Sequence, residues 1–348
     1  MKTFYWRTLV VPALMAVALG VCAMLCLSQT LINGAGATFP NPIYSKWFNE
    51  YHKLHPEIQI NYQSLGSGAG IRQITEGTVD FGASDAIMTP EQLQDFQNKR
   101  GCAVLHFPTV LGAVVVTYHV PGISESLNLT PDTIAGIFLG KITRWNDPAI
   151  ASANPKVKLP GADIVVVHRA EASGTTYCWT DYLSKVSAEW NSRVGKGAAV
   201  NWPVGLGGKG NEGVTGQVKQ TAGAIGYVEL IYAVQNQLPY ASIKNAEGRF
   251  IKPDLASVTA AAAGAAKSMP DDFRISITNS PGKDAYPIST FTWLLVPEKI
   301  EDKTKLKVIT DFLHWMLTSG QSMTESLSYA MLPKEVVAKE MKAIAKVK

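Results

Sequence analysis

The stretch HRAEASGTTYCW, residues 168–179, carries the side chains with the clearest capacity for chemistry. It places Arg169 and Glu171 beside the small, hydroxylated segment Ser173–Thr175, where an apolar run gives way to a helical pattern. The start of a helix favours an anion, because its first N–H groups are unpaired and it carries about half a positive charge. A carboxylate at that place opposes an anion unless it has another role. The stretch is thus compatible with an anion-binding loop, a catalytic loop or an ordinary polar turn.

Three other segments share this richness in small residues: GAGATF (34–39), LGSGAG (65–70) and ASDA (83–86). In open α/β sheets, the connections from strands to helices lie at the carboxyl ends of the strands, where ligands bind. Thr38 and Ser67 supply hydroxyl groups in the first two segments, and Asp85 lies in the third. One such loop alone is usually a turn, and its hydroxyls are usually helix caps. Four of them together with Arg169 predict a site for a small anion with several oxygens.

Familiar enzyme motifs are missing from the sequence. GLGGKGN (205–211) resembles a phosphate-binding P-loop, but Asn211 replaces the required lysine. The Ser67 loop is not a nucleophile elbow, because Leu65 occupies the place of the first glycine. No HExxH or CxxC occurs and the six histidines are scattered, so neither a metal site nor a cofactor is expected. A secreted phosphatase that uses Ser67 or Ser173 remains an alternative.

The elements that must position these loops alternate between strands and helices. This order predicts an α/β protein of one or two lobes with mostly parallel sheets. The predicted strands are 58–62, a brief strand ending at 84–85, 110–120, 164–169, 224–233 and 289–296. The predicted helices include a stripe through Ile43, a short helix from Ile71, and the ranges 90–99, 175–186, 255–267 and 305–317.

The N-terminus reads as an export signal. Lys2 and Arg7 precede an apolar run, residues 9–27, and we expect cleavage after Ser28, although an uncleaved membrane anchor is an alternative. Loss of the two basic residues lowers the formal charge from +4 to +2. No Lys/Arg block indicates nucleic-acid binding, and no second apolar run is long enough to span a membrane. The mature protein is therefore expected to be soluble and exported.

Two cysteines, Cys102 and Cys178, follow the signal. An oxidising compartment permits a disulfide, but the sequence alone does not place the two Cα atoms within bridging distance. Isolated cysteines among apolar residues are more often buried small hydrophobes, and we favour that interpretation.

The motifs GAGATFP, GSGAG, VDFGASD, HRAEASGTT and GLGGKGNEG with AIGYVE occur in a characteristic order and spacing. In the order and spacing of these motifs, the chain resembles the periplasmic phosphate-binding proteins of phosphate ABC transporters. The resemblance covers essentially the whole mature chain and includes the late segment DAYPIS (284–289). The resemblance implies an α/β, two-lobed type II periplasmic binding protein fold with a ligand cleft between the lobes and two chain crossovers. It places lobe I at residues 29–109 and 288–348, and lobe II at residues 110–287.

The function implied by the resemblance is high-affinity binding of inorganic phosphate in the periplasm and delivery to membrane permease subunits, without catalysis. We expect a monomer. Another tetrahedral oxyanion is the alternative ligand. The family's phosphate contacts fall on these positions: Thr38, Phe39 through its backbone N–H, Ser67, Asp85, Arg169, Ser173, Gly174 and Thr175.

Two acidic residues of the implied site need separate explanations. Asp85 can accept a hydrogen bond from phosphate, which keeps a proton near neutral pH, whereas sulfate has none. It would thus act as a filter, because buried groups left unpaired exclude close analogues. Glu171 departs from the family pattern. The family has Arg-Ala-Asp-Gly-Ser-Gly-Thr, whereas this chain has Arg-Ala-Glu-Ala-Ser-Gly-Thr. Glutamate can still reach Arg169 and hold it in place, and Ala172 indicates that this position does not need positive φ.

Overall fold

A computed structural model describes residues 29–348, so the expected signal segment 1–28 lies outside the described residues. The strands in this part of the chain are β1 (Thr30–Gly36), β2 (Ile58–Ser64), β3 (Phe81–Ser84), β4 (Val104–His119), β5 (Asn128–Leu129), β6 (Val165–Arg169), β7 (Leu206–Gly208), β8 (Ala224–Glu229), β9 (Ser242–Lys244), β10 (Phe250–Ile251) and β11 (Ser289–Pro297). The helices are α1 (Asn41–Leu54), α2 (Ser67–Glu76), α3 (Pro90–Arg100), α4 (Pro131–Phe138), α5 (Pro148–Ala151), α6 (Gly174–Val186), α7 (Ala188–Arg193), α8 (Gly210–Gln220), α9 (Leu230–Gln235), α10 (Leu255–Lys267), α11 (Lys303–Thr318) and α12 (Lys334–Ala343).

The main sheet has the strand order β2-β1-β3-β11-β4-β8-β6-β7. Parallel pairs lie at its two ends, β2-β1-β3 and β8-β6-β7. The two central strands, β11 and β4, run antiparallel to their neighbours. A small sheet has the order β10-β9-β5, and Ala241, just before β9, donates its N–H to the Val116 carbonyl of β4 at 2.9 Å. The α/β class is thus as predicted, with the parallel pairing confined to the two ends.

The long strand β4 joins the two halves of the molecule. Its residues 104–113 pair with β11, and its residues 114–119 pair with β8. Its partner β11 is buried along its whole length, as expected for a strand covered on both faces. Each end of the sheet carries its own helices, with α1, α2 and α11 on the β1 side and α6, α8 and α9 on the β8 side. The fold is two-lobed: the chain crosses from one lobe to the other along β4 and returns just before β11.

Helix α2 begins at Ser67, four residues before the predicted start at Ile71. The prediction was wrong because glycines weaken a helix when only local preference is counted. Here tertiary packing compensates: a Cβ on Gly70 would lie 2.7 Å from the carbonyl oxygens of Ala35 and Ala83. Only glycine lets this helix approach β1 and β3 so closely.

The predicted strand 224–233 is also only half right. Strand β8 ends at Glu229, whose side chain accepts a hydrogen bond from the N–H of Ile231 and so caps α9. The apolar run LIY fits a buried strand and a buried helix equally well, so composition could not separate the two.

Both cysteines of the described region are free and buried, in agreement with the favoured interpretation. The Sγ of Cys178 lies 3.4 Å from the backbone oxygen of Asp85, and burial raises its thiol pKa. Among residues 29–348, no helix has both the length and the apolar character needed to cross a membrane.

Candidate functional site

The segments predicted to bind an anion come together where the two lobes meet. The loop before α1 and the start of α2 belong to one lobe, and the starts of α6 and α8 belong to the other. These helices begin at this region, so their unpaired N-terminal N–H groups are available to donate there. The side chains predicted to contact the ligand are buried, at 3% exposure or less, whereas Glu171 is partly exposed.

Thr38 and Phe39 lie immediately before α1. The hydroxyl of Thr38 accepts two hydrogen bonds from Asn211, one from its backbone N–H at 3.2 Å and one from Nδ2 at 2.7 Å. The carbonyl of Phe39 accepts a hydrogen bond from the Tyr329 hydroxyl at 2.6 Å. No acceptor among residues 29–348 takes up the Phe39 N–H, which leaves it free to donate to a ligand.

Ser67 and Asp85 lie side by side in the same lobe. The Ser67 hydroxyl accepts from the backbone N–H of Asp85 at 3.2 Å, and the Thr292 hydroxyl donates to Asp85 Oδ1 at 2.8 Å. Burial raises the pKa of Asp85 to about 7, although the hydrogen bonds from Thr292 and Ser67 and the charge of Arg169 act in the opposite direction. Asp85 is therefore a carboxylate that changes its protonation near neutral pH.

Arg169 is held by Glu171 as the sequence predicted. Glu171 Oε1 accepts from Nε of Arg169 at 3.0 Å and also from its Nη2, while Nη1 donates to Thr175 Oγ1 at 3.2 Å. The same Oε1 accepts from the N–H of Gly210 at 3.0 Å. Since Glu171 balances the guanidinium charge, the site would hold an anion mainly through N–H and O–H dipoles.

Residues 173–175 begin α6. Ser173 is its N-cap, and its hydroxyl accepts from the Thr176 N–H at 3.2 Å. Ser173 thus has the capping role that the sequence left open, while Thr175 caps nothing. The N–H groups of Gly174 and Thr175 are the first two of the helix and have no acceptor within it. They can donate into the site together with the hydroxyl hydrogens.

The two lobes touch across the site, so the cleft is closed. The N–H of Gly68 donates to the Ala172 carbonyl at 3.0 Å, and the Tyr232 hydroxyl donates to the Thr38 carbonyl at 2.6 Å. A Cβ placed on Gly174 would lie 2.5 Å from Asp85 Oδ2. Ala172 has no positive φ, as predicted.

The sequence did not reveal three residues that organise the site. Asn211 joins Thr38 to Thr175, Tyr232 joins the lobes, and Thr292 orients Asp85. Asn211 was visible only as a departure from a P-loop, and nothing in the sequence signals the roles of the other two.

A closed cleft between two α/β lobes, lined by buried donors, defines a substrate-binding protein of the two-lobed periplasmic type. The profile of the PBP superfamily domain matches residues 27–319. The phosphate-binding protein PstS of Pasteurella multocida (strain Pm70) is 43% identical over 327 residues, which cover 94% of this chain and 93% of that protein. The phosphate-binding protein PstS of Xylella fastidiosa (strain Temecula1 / ATCC 700964) is 45% identical over 307 residues, covering 88% and 82%.

Among solved structures, the high affinity periplasmic phosphate-binding protein PfluDING with bound phosphate superposes with a TM-score of 0.71. It is 22% identical, and the match covers 89% of this chain and 93% of that one, which establishes a shared fold. The chain belongs to the PBP superfamily and, within it, to the family of phosphate-binding proteins PstS. The resemblance seen in the sequence is thereby confirmed.

Proposed function

We propose that this protein binds inorganic phosphate between its lobes and delivers it to the permease of an ABC-type transporter. The observation that carries the proposal is the composition of the cleft: buried hydroxyl and N–H donors from both lobes surround Asp85. Donors suit the oxygens of phosphate, and the carboxylate suits its proton. The direct phosphate contacts would be made by the eight predicted positions, Thr38, Phe39, Ser67, Asp85, Arg169, Ser173, Gly174 and Thr175.

The protein would work in the periplasm after removal of residues 1–28. Lobe I would comprise residues 29–109 and 288–348, and lobe II residues 110–287. The lobes would move about the two connections between them, in β4 and just before β11. The change of partner along β4, from β11 to β8 after Ala113, supports a hinge in this part of the strand. Closure around a ligand is the usual motion of such lobes.

Asp85 would exclude sulfate by facing it with an unprotonated acceptor. Below its pKa of about 7, however, the carboxyl carries a proton and can donate to sulfate. Sulfate affinity should therefore increase as the pH falls through this value, because the acid, not the sulfate, changes protonation in this range. Buried groups without partners exclude analogues by factors of about 10⁴, so the pH effect should be large.

Calorimetric titration of the phosphate-stripped protein tests the proposal. We expect tight one-to-one binding of phosphate at about pH 8 that excess sulfate does not disturb, and measurable sulfate binding at about pH 5.5. In Asp85→Asn, sulfate binding should be stronger at high pH and independent of pH. Asp80→Asn is the matched control, because Asp80 pairs with Lys305 outside the site. Equal competition by sulfate in the wild type would refute phosphate as the specific ligand.

A further inference from the structure

Asn211 lies in the first turn of α8, is fully buried, and uses every polar group of its side chain. Its Oδ1 accepts from the backbone N–H of Glu229 at 2.9 Å. Its Nδ2 donates to the hydroxyl of Thr38 at 2.7 Å and to the hydroxyl of Thr175 at 3.3 Å. One amide thus contacts a site residue of each lobe.

The backbone N–H of Glu229 fixes the direction of the hydrogen bonds that the Asn211 amide makes. A backbone N–H can only donate, so the group of Asn211 that faces Glu229 must be the carbonyl oxygen. The amide nitrogen then necessarily faces Thr38 and Thr175, and both hydroxyls must accept from it. The orientation of the amide follows from chemistry and does not depend on distinguishing oxygen from nitrogen by shape.

Both hydroxyl oxygens are also fully occupied as acceptors. Thr38 Oγ1 takes a second bond from the backbone N–H of Asn211, and Thr175 Oγ1 takes a second bond from Arg169 Nη1. A hydroxyl oxygen has two lone pairs, so neither can accept from a ligand in addition. The only remaining function of each hydroxyl is to donate its hydrogen, which is what an anion requires.

We propose that Asn211 is a positioning residue for the ligand: it orients the hydroxyls of Thr38 and Thr175 so that both donate to the anion. Because the two threonines belong to opposite lobes, Asn211 thereby couples lobe closure to binding. This inference rests on the proposed phosphate-binding function. Asn211 would thus contribute to selectivity for a ligand rich in hydrogen-bond acceptors, although it is not one of the eight predicted contacts.

Two substitutions separate orientation from simple packing. In Asn211→Ala each hydroxyl loses one of its two donors and can turn. The dissociation constant for phosphate should rise about 10- to 100-fold, as expected when hydrogen bonds to a charged group lose their fixed direction. Asn211→Asp keeps the shape and the acceptor for Glu229, but its second oxygen draws the hydroxyl hydrogens away from the anion and adds a like charge. At about pH 8 it should bind at least ten-fold more weakly than Asn211→Ala.

The pH profile is a readout that a packing role would not change. When the introduced carboxyl is protonated, its one O–H can donate to one of the two threonine hydroxyls, which restores the original direction of that hydrogen bond and removes the like charge. The affinity of Asn211→Asp relative to wild type, measured at each pH, should therefore recover as the pH falls from about 8 to 5.5. The same ratio for Asn211→Ala should stay constant.

Asn154→Ala is the matched control. Asn154 is also a buried asparagine with both ends bonded, to the backbone of Asn128 and Ile150. It should lower the thermal midpoint without changing the affinity for phosphate. If Asn211→Asp does not fold, a double-mutant cycle replaces it: Thr38→Val should weaken binding less in Asn211→Ala than in the wild type.

The outcomes distinguish the two proposals. Absence of phosphate binding by the wild type would overturn the proposed function itself. If the wild type binds phosphate and Asn211→Ala binds it within two-fold of the wild type, only this inference is overturned. The same holds if the affinity of Asn211→Asp relative to wild type does not change with pH, or if the effects of Thr38→Val and Asn211→Ala are additive. Weak binding of Asn211→Ala, recovery of Asn211→Asp at low pH, and coupling in the cycle would each support it.

Discussion

Replacing Gly174 with alanine adds one methyl group at the point where the two lobes meet. The new Cβ would lie 2.5 Å from Asp85 Oδ2 and 2.7 Å from Asp85 Cβ, with Ser67 Oγ closer still. Unstrained Cβ contacts start beyond 3.0 Å, so the lobes could not close to their present separation. Gly174 has no positive φ and opens a helix, so its own backbone tolerates alanine.

The cost of this methyl group should appear in binding and not in folding. The contact exists only while the cleft is closed, and the open molecule relieves it. Adding a methyl group to a filled space costs about 1–3 kcal/mol. At about 1.4 kcal/mol for each factor of ten, the dissociation constant for phosphate should rise about 5- to 150-fold.

Calorimetry with the phosphate-stripped protein measures this effect, and thermal unfolding without phosphate measures the fold. The matched control is Gly216→Ala, in the middle of α8, where a Cβ would meet nothing within 4 Å. The control should bind phosphate like the wild type and gain about 0.5–1 kcal/mol of stability from its helix. An affinity of Gly174→Ala within two-fold of wild type would show that the added methyl group does not hinder closure. A loss of stability without phosphate that equals the loss of binding would show that it acts on the fold instead.

Two further predictions concern the fold outside the site. Glu340 is fully buried with both oxygens unpaired among residues 29–348, and burial raises its pKa well above the usual 4.5. Above pH 4.5 the unfolded chain releases a proton that the folded protein keeps, so stability should fall by about 1.4 kcal/mol per pH unit until the folded pKa is reached. In Glu340→Gln the thermal midpoint should depend less on pH between about pH 5 and 8 than it does in the wild type. Parallel curves of midpoint against pH for the two proteins would contradict this. Gly70→Ala forces α2 away from the backbone of β1 and β3 and should cost about 1–3 kcal/mol in urea unfolding. Gly264→Ala, inside α10 with nothing within 4 Å of the new Cβ, should instead gain about 0.5–1 kcal/mol.

Much of the architecture could be predicted because it depends on local patterns. Alternating strands and helices indicated the α/β class, and the range predicted for α10 matches the structure residue for residue. Strand β1 and residues 104–109 of β4 were not predicted. Two other errors have one origin. The start of α2 and the end of β8 depend on what packs against them, and neither close backbone approach nor burial on all sides can be read from neighbouring residues.

The sequence alone identified the loops that meet at the cleft, because small residues, hydroxyls and one arginine recur at the predicted strand ends. It also identified Glu171 as the partner of Arg169, two residues away. Only the tertiary structure decided how these groups act. Thr292 reaches Asp85 from 207 positions away, and Asn211 reaches Thr38 from 173 positions away. Hydrogen-bond direction is set by the partners that folding brings together, from a distant part of the same lobe for Asp85 and from the other lobe for Thr38.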